Sequence, residues 1–442
     1  MRMANIYAIS LGCPKNRVDT ERLLGALPGA HLVESIQEAA CIFINTCAFI
    51  TPAVEESVRV ILRAARDAQD AADGGGTPPF LVVAGCLVGR YGEKALAPDM
   101  PEVDVWLDNR EIYSWPEKLR NLLGLSGVIP HARLISTAPS YAWLKISDGC
   151  NHACSFCTIP AIRGPFRSAP PEDLEREAGL LLSRGVKELV LVAQDTSAWG
   201  KDLDGKHSLK SLLDILLPLP GLARLRLMYL YPAGITRDLL RYFRDAGPAF
   251  VPYFDVPLQH AHPDVLARMG RPFAHNPLAV IERIREYFPG AALRTSMIVG
   301  FPGETEAAFE YVREFVAHVR FHHLGVFAFQ AEEGTSAAAL PKRVATRIAR
   351  RRRDALMGLQ AGISAEMLAA CKGQRLQILV DSPHPECPGL HVGRAWFQAP
   401  ENDGITYVSG PGVHAGALLE TEVIETRTYD LVALAENATV HT

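Results

Sequence analysis

The stretch Trp143-Leu144-Lys145-Ile146-Ser147-Asp148-Gly149-Cys150-Asn151-His152-Ala153-Cys154-Ser155-Phe156-Cys157 decides how this chain is read. It starts as an apolar strand and runs, past a glycine, into three cysteines spaced CxxxCxxC. Three thiolates on one tight loop can hold three irons of a 4Fe-4S cluster and leave the fourth iron open to a further ligand, which points to chemistry more than to simple electron transfer. Zinc or stray thiols are the plainer alternatives, but zinc loops favour two close pairs, and no fourth ligand stands nearby in the sequence.

Downstream of that loop the pattern repeats. Residues 143–146, 187–193, 222–230, 253–257, 293–299 and 323–329 read as strands, separated by helical patterns such as 174–183 and 305–319. Six such units in succession predict a partial β/α barrel whose chemistry sits on loops after the strands. A long helix over 343–371 then ends at Gly373. Residues 374–381, 391–397, 405–408, 418–426 and 429–433 are short alternating strands broken by Pro and Gly, the pattern of a small antiparallel barrel.

Upstream, residues 6–10, 41–45 and 80–84 read as strands. Between the last two, Val54, Val58, Ile61, Leu62 and Ala65 recur at helical spacing after Pro52, and Gly74, Gly75 and Gly76 stop that helix. Alternating strand and helix predicts a parallel α/β sheet. Cys13, Cys47 and Cys86 each lie two or three residues beyond the end of one of these strands. Ligands of open α/β sheets bind beyond the carboxyl ends of the strands, so three side chains at equivalent positions can meet there. A lone free cysteine is otherwise a small buried hydrophobe, and Cys41, Cys371 and Cys387 are assigned to packing or surface. The predicted class is thus α/β throughout. Residues 1–115 form an N-terminal parallel α/β domain, 116–140 a linker with a short helix, 141–372 the partial barrel and 373–442 the small antiparallel barrel. No internal repeat of fixed period is found.

The 442 residues are 48% hydrophobic and 21% charged, ordinary values that exclude wholesale disorder and fibrous repeats. No apolar run approaches the ~18 residues of a membrane helix, and residues 1–10 lack the features of a secretory signal. A cytoplasmic protein is expected, in a reducing compartment where nine cysteines read as metal ligands or thiols before disulfides. With 45 basic against 49 acidic residues no global field draws the chain to nucleic acid. From Lys372 onward four basic residues stand against nine acidic ones, a net of −5. Such a module is a poor phosphate binder and suits a basic protein partner, although an acidic surface needs no partner. Arg347, Arg350, Arg351, Arg352 and Arg353 form a basic run that could touch RNA but reads first as a solvated helix face. His260, His262, His322 and His323 are expected to be structural.

With these motifs in place the chain resembles the radical S-adenosylmethionine enzymes, whose cysteine motif also carries an aromatic before its last cysteine, here Phe156. The Gly300-Phe301-Pro302-Gly303-Glu304 turn after the fifth strand matches the place where relatives approach the adenine. The resemblance narrows to the methylthiotransferases, which join an N-terminal three-cysteine cluster domain, a radical barrel and a C-terminal TRAM domain of OB-like type. Leu11-Gly12-Cys13-Pro14-Lys15-Asn16, Asn45-Thr46-Cys47-Ala48-Phe49-Ile50, Gln194-Asp195-Thr196, Pro257-Leu258-Gln259-His260 and Tyr429-Asp430-Leu431 look like the RimO branch. Ala169, in Arg167-Ser168-Ala169-Pro170, departs from the arginine usual there.

The resemblance implies two 4Fe-4S clusters, one on Cys13, Cys47 and Cys86 and one on Cys150, Cys154 and Cys157. It implies S-adenosyl-L-methionine held near Phe156, Gln194, Gln259, Gly300 and Gly303, and no catalytic residue beyond the cluster ligands. The implied reaction adds a methylthio group to the β-carbon of an aspartate of small-subunit ribosomal protein S-twelve, with electrons from a donor such as flavodoxin or ferredoxin. No membrane is involved, and nucleic acid is not expected to be the substrate. The alternatives are a MiaB-like enzyme acting on a tRNA adenosine and, below that, a non-catalytic iron-sulfur protein that binds ribosomes.

Overall fold

The computed structural model describes residues 3–73, 77–273 and 275–435, so the predicted helix stop at Gly74 to Gly76 and the acidic Glu436 lie outside the described residues. The chain divides into two compact units. One comprises Met1–Ser136, Ser147–Glu177 and Glu332–Thr335, the other Thr137–Ile146, Ala178–Ala331 and Ser336–Thr442.

The first unit is built on five parallel strands: β1 (Ala4–Ser10), β2 (Ala30–Leu32), β3 (Cys41–Thr46), β4 (Phe80–Gly85) and β5 (Val105–Asp108), in the order β2-β1-β3-β4-β5. Every residue of β3 is buried, as a central strand covered on both faces must be. Ile42 and Ile44 face one core, with Ile61 and Ala64 of α2 (Thr51–Asp73) and with Leu87 of α3 (Cys86–Tyr91). Cys41 and Phe43 face the other, with Leu23 of α1 (Pro14–Gly25) and Trp115 and Leu119 of α4 (Trp115–Leu123). Cys41 is therefore packing, as expected. The CxxxCxxC loop and the short helix after it, α5 (Ile159–Arg163), belong to the same unit. The sequence pattern does not announce β2 and β5. β2 is three residues long and largely exposed, and β5 has only four, too few for alternation to register. The order β2-β1-β3 means that strands are added in one direction from β1 and then in the other from β3. Crevices open at such a switch point, beyond the carboxyl ends of β1 and β3.

The second unit carries β6 (Tyr141–Lys145), β7 (Glu188–Val192), β8 (Arg224–Leu227), β9 (Tyr253–Asp255), β10 (Ala292–Val299) and β11 (His323–Ala328), the six strands that the sequence predicts. They form two parallel three-stranded sheets, β6-β7-β8 and β9-β10-β11. These are stitched edge to edge where Val251 N–H donates to Leu225 O (3.0 Å) and Leu225 N–H to Ala249 O (2.7 Å). The interruption there has a simple cause, since β9 is only three residues long. Helices α6 (Pro171–Ser183), α7 (Leu209–Leu216), α8 (Arg237–Asp245), α9 (Pro263–Arg268), α10 (Leu278–Tyr287) and α11 (Glu306–Val319) connect the strands, and α12 (Thr346–Ala369) follows β11.

The C-terminal segment closes into a five-stranded barrel of β12 (Arg375–Pro383), β13 (His391–Arg394), β14 (Thr406–Ser409), β15 (Leu418–Thr426) and β16 (Leu431–Ala435), in the order β12-β13-β14-β16-β15. It is not wholly antiparallel, because β14 pairs with β16 in parallel. An odd number of strands cannot alternate all the way round a closed ring, so one pair must run together. This barrel stoppers the end of the half-ring at which the parallel strands begin. Arg394 donates to Glu188 of β7 (2.6 Å) and to Asp381 (2.7 and 2.9 Å), and its guanidinium lies over Tyr141. Asp403 accepts from Arg294 of β10 (2.5 Å) and Tyr253 of β9 (2.7 Å). These charges are almost wholly buried and mutually paired, the arrangement in which burial is tolerated. The small barrel thus covers the end at which the strands begin and leaves uncovered by itself the end at which they finish. Among the described residues no helix is long and apolar enough to cross a membrane.

Candidate functional site

Three strand ends and two helix starts bring Cys13, Cys47 and Cys86 into one neighbourhood of the first unit. Cys13 is the N-cap of α1, Cys47 follows β3 directly, and Cys86 opens α3 after Gly85. Cys13 and Cys47 therefore flank the switch point. Gly12, with φ of +86°, has no room for a side chain, since a Cβ there would stand 2.6 Å from Cys47 Cβ and 2.8 Å from its Sγ. The first two cysteine loops thus touch, and Asn16 ties them. Its buried amide donates to Leu11 O (2.8 Å) and Thr46 O (2.9 Å), while its Oδ1 lies 3.8 Å from Cys86 Sγ.

The electrostatics follow from burial and nearby cations. Burial opposes the Cys13 thiolate, but the charges of Lys15 and Arg163 and the N–H groups of Asn16 and Lys15 outweigh it and leave its pKa lowered. Burial pushes Cys47 up to about 12, and repulsion from Cys86 and Cys13 adds to that. Cys86 is raised mainly by burial, partly relieved by Arg163. One thiol that ionises readily beside two that resist it is a donor set that iron can complete, because a bound cluster supplies positive charge to all three. Among the described residues no three His, Cys, Asp or Glu side chains gather as tightly as a single ion requires. A cubane does not ask for that, since each thiolate binds a different iron.

In the CxxxCxxC loop Cys150 is buried and Cys154 and Cys157 are half-buried. Cys150 N–H donates to Gly164 O (3.2 Å) and Cys157 N–H to Cys154 O (3.1 Å), and His152 N–H points at Cys150 Sγ (3.4 Å). Thr158 donates to Phe49 O (3.0 Å), which joins this loop to the one that carries Cys47. Helix α5 ends in the residue that sequence reasoning misses. Arg163 is buried, donates to Asp148 (2.9 and 3.0 Å), lies 3.4 Å from Asp19, binds Asn16 Oδ1, and places Nη2 3.5 Å from Cys86 Sγ. Asn109 Nδ2 approaches the same sulfur at 3.9 Å. The available signal was a lone arginine in an apolar turn just past the cysteine motif, but its partners are distant in sequence. Phe156 sits half-buried within this loop.

The remaining predicted residues lie in the second unit, past the strand ends: Gln194 after β7, Gln259 after β9, Gly300 and Gly303 after β10. Gln259 holds φ of +75°, a strained value for a non-glycine, while its backbone joins Met297 of β10 in a parallel bridge. Gly300 and Gly303 have packing reasons of their own. A Cβ at Gly300 would stand 2.3 Å from that of Ala349, and one at Gly303 2.9 Å from the Arg268 guanidinium. Glu304 braces the turn, accepting from Phe301 N–H (3.1 Å), Gly300 N–H and Arg352 (3.1 Å).

The four histidines behave as structural residues. His262 caps α9, His322 Nδ1 accepts from Leu293 N–H (3.2 Å), and His323 meets Phe397 O (2.6 Å). His260 is buried, its pKa pushed down to about 3 mainly by burial, and its Nδ1 accepts from His262 N–H (2.9 Å). Cys371 is half-buried and Cys387 exposed, in line with packing and surface.

Two expectations need correction. The basic run is not a uniformly solvated face, because Arg352 turns inward to Glu304 while Arg347, Arg350 and Arg351 stay exposed. Part of the acidity of the C-terminal barrel is also internal. Asp381 pairs with Arg394, Asp403 with Arg294, and Asp430 accepts from Ile405 N–H (2.8 Å). Its described exposed charges are five acidic (Glu386, Glu401, Glu420, Glu422, Glu425) and three basic (Lys372, Arg375, Arg427), a net of −2.

Comparison with known proteins agrees with this architecture. The Radical SAM superfamily matches residues 144–316, an uncharacterized protein family, UPF0004, matches 5–108, and the TRAM domain matches 373–435. The chain is 63% identical over 434 residues to the ribosomal protein uS12 methylthiotransferase RimO of Nitratidesulfovibrio vulgaris, covering 98% of this chain and 100% of that protein. It is 60% identical to the RimO of Oleidesulfovibrio alaskensis over the same shares. The RimO of Aquifex aeolicus is 41% identical, with 96% of each chain covered. Among solved structures it resembles in fold the radical S-adenosylmethionine methyltransferase TsrM of Kitasatospora setae, solved with cobalamin and a 4Fe-4S cluster. That match has a TM-score of 0.55 at 14% identity, covering 89% of this chain and 81% of the other. It also resembles the cobalamin-dependent enzyme OxsB (TM-score 0.52, 11% identity, 82% and 56% covered).

Proposed function

The chain belongs to the RimO family of ribosomal protein uS12 methylthiotransferases, and on that premise we propose that Cys13, Cys47 and Cys86 hold one 4Fe-4S cluster and Cys150, Cys154 and Cys157 another. The enzyme is a transferase that uses iron-sulfur clusters and S-adenosylmethionine, and its substrate is the ribosomal protein. With these cofactors bound, their chemistry is abstraction of a hydrogen from the β-carbon of an aspartate and delivery of a methylthio group in its place. The protein's own task is to bind, orient and exclude water.

The assignment of the first cluster is supported by one observation above all: three cysteines, one buried and two half-buried, share a neighbourhood at the switch point, with Asn16 and Arg163 holding their loops. Lys15 and Arg163 stabilise the Cys13 thiolate and leave it ready to take a metal. The half-ring, plugged where its strands begin, receives substrate where they end. S-adenosylmethionine is assigned to Gln194, Gln259, Gly300 and Gly303 at that end, with Phe156 beside the second cysteine set. Packing already explains both glycines, so the support there is the position of the turn. The reductant is proposed to be a small low-potential protein such as flavodoxin or ferredoxin, and the setting the cytoplasm, where the substrate is made. The segments 1–115, 141–372 and 373–442 are proposed as cluster, radical and TRAM domains around the linker 116–140.

Mass spectrometry on the anaerobically reconstituted enzyme, given S-adenosylmethionine, sulfide and reductant with uS12 and tRNA in parallel, tests this. Methylthiolated uS12 alone is expected, and a modified tRNA would overturn it. Cys154→Ala should abolish 5′-deoxyadenosine, whereas Cys47→Ala should keep it and lose methylthiolation.

A further inference from the structure

A cavity of about 560 Å³ lies among the first turns of α9, α11 and α12, on the side of the turn after β10 where Gly303 and Glu304 line it, and its other lining residues have no part in the reaction as assigned above. Its lining is rich in cations: Arg268, Lys342, Arg343 and Arg352. Arg352 is spoken for, being buried against Glu304 (3.1 Å) and Glu306 (2.8 Å). Arg268 donates to Gly303 O (3.1 Å) and Arg343 to Ala338 O, both carbonyls. Lys342 is pinned by its backbone, whose carbonyl accepts from Gly303 N–H (2.8 Å). Among the described residues Lys342, Arg343, Arg347 and Arg350 meet no carboxylate. Arg347 and Arg350 continue the basic surface along the exposed side of α12. Four cations without a carboxylate partner, Lys342, Arg343, Arg347 and Arg350, thus stand near one exposed carboxylate of the lining, Asp264. This happens in a chain whose formal charge is −4. α12 also starts at Ala345 without a side-chain cap, so the field of its first turn adds to the same sign.

A concave surface of this kind takes an anion, and arginine forks with a lysine suit phosphate. We propose that the cavity and the ridge of α12 bind the sugar–phosphate backbone of RNA and dock the enzyme on the RNA that surrounds its protein substrate. The proposal rests on the reading of uS12 as substrate. A basic ribosomal protein would be repelled here, so the occupant is the other, anionic component of the small subunit. The site adjoins the turn after β10, on the strand-end side of the half-ring. A particle held there presents its protein to that side.

The test is binding of the full, cluster-loaded chain to intact small ribosomal subunits across a salt series, for the wild type and for K342A/R343A/R347A, whose side chains are exposed. The variant should bind about ten- to a hundredfold more weakly, with a slope of log K against log salt smaller by about 2, given roughly 0.7 for each phosphate on a single strand that is no longer neutralised. S-adenosylmethionine cleavage and methylthiolation of isolated uS12 should be unchanged. The charge reversal R347E/R350E should weaken subunit binding further. Wild-type affinity and slope in both variants would overturn the proposal. So would displacement of the enzyme from subunits by polyglutamate as readily as by an RNA of equal charge, which would point to an acidic protein as ligand. A wild type that modifies no form of uS12, yet binds subunits in a manner the triple variant loses, would sink the substrate reading and uphold the site.

Discussion

Replacing Arg163 with methionine should lower the reduction potential of the cluster we assign to Cys13, Cys47 and Cys86. The guanidinium stands 3.5 Å from Cys86 Sγ, close enough that a full charge on the sulfur would feel about 5 kcal/mol at an effective dielectric constant of 20. An added electron spreads over the whole cluster, roughly twice as far away, and the interaction falls to about 2 kcal/mol. At 59 mV per tenfold change for one electron that is about 100 mV. The sign is fixed, because removing a positive charge disfavours the more negative reduced state. Asp148, a quarter exposed beside the guanidinium, admits solvent that screens part of the change, so the observed drop should fall between about 50 and 100 mV. The measurement is a potentiometric titration followed by electron paramagnetic resonance, in a C150A/C154A/C157A background where only the first set of cysteines can load. Arg163→Lys keeps the charge and should recover more than half of the shift, while iron content reports whether the site still assembles. A potential within about 20 mV of the parent, or above it, would refute the charge argument.

Three further outcomes follow from the same geometry. Arg394→Met leaves Asp381 without its cation and Glu188 with Arg226 alone, and should cost about 3–5 kcal/mol in chemical unfolding, and a loss below about 1 would mean that the plug is not held by charge. Burial works against the Glu188 carboxylate, but Arg226, Arg394 and Arg224 hold its pKa down at about 2 against an ordinary 4.5. Its stabilisation is therefore fully present above about pH 4.5 and drains away as the pH falls toward 2, and unfolding midpoints that are level from pH 5 to 3 would contradict this. Glu304→Ala strips the acceptor from the Gly300 and Phe301 N–H groups, at about 1–3 kcal/mol. Calorimetry should then show S-adenosylmethionine binding weakened at least about fivefold, and an unchanged Kd would remove that turn from the binding site.

What could be read in the sequence was whatever repeats or clusters locally. Six barrel strands announced themselves as apolar runs between helical patterns, and the CxxxCxxC loop is contiguous. β2 escaped because three largely exposed residues carry no period, and the parallel closure of the small barrel because pairing order is a property of the ring. Asn16 and Arg163 escaped for a different reason: their partners lie up to 147 residues away, and nothing in either residue's own neighbourhood says that it will be buried. The charge of the C-terminal module shows the converse error. Its net of −5 is correct as a count, but Asp381, Asp403 and Asp430 spend their charge inside the fold, where no partner molecule can feel it.

The plug has a consequence for how the enzyme is made. Glu188 leaves the ribosome 206 residues ahead of Arg394, and Arg294 leaves 109 ahead of Asp403. At about 5–20 residues per second the nascent barrel waits on the order of 5–40 s with charges at its rim that have not yet met all their partners. A polypeptide cut short before residue 381 never meets them. The half-ring of such a fragment keeps open the end that the finished enzyme seals, with carboxylates and guanidiniums facing water in place of a packed base. Completion of the catalytic unit is therefore tied to synthesis of the small barrel: the half-ring becomes whole only once Arg394 and Asp403 have been made.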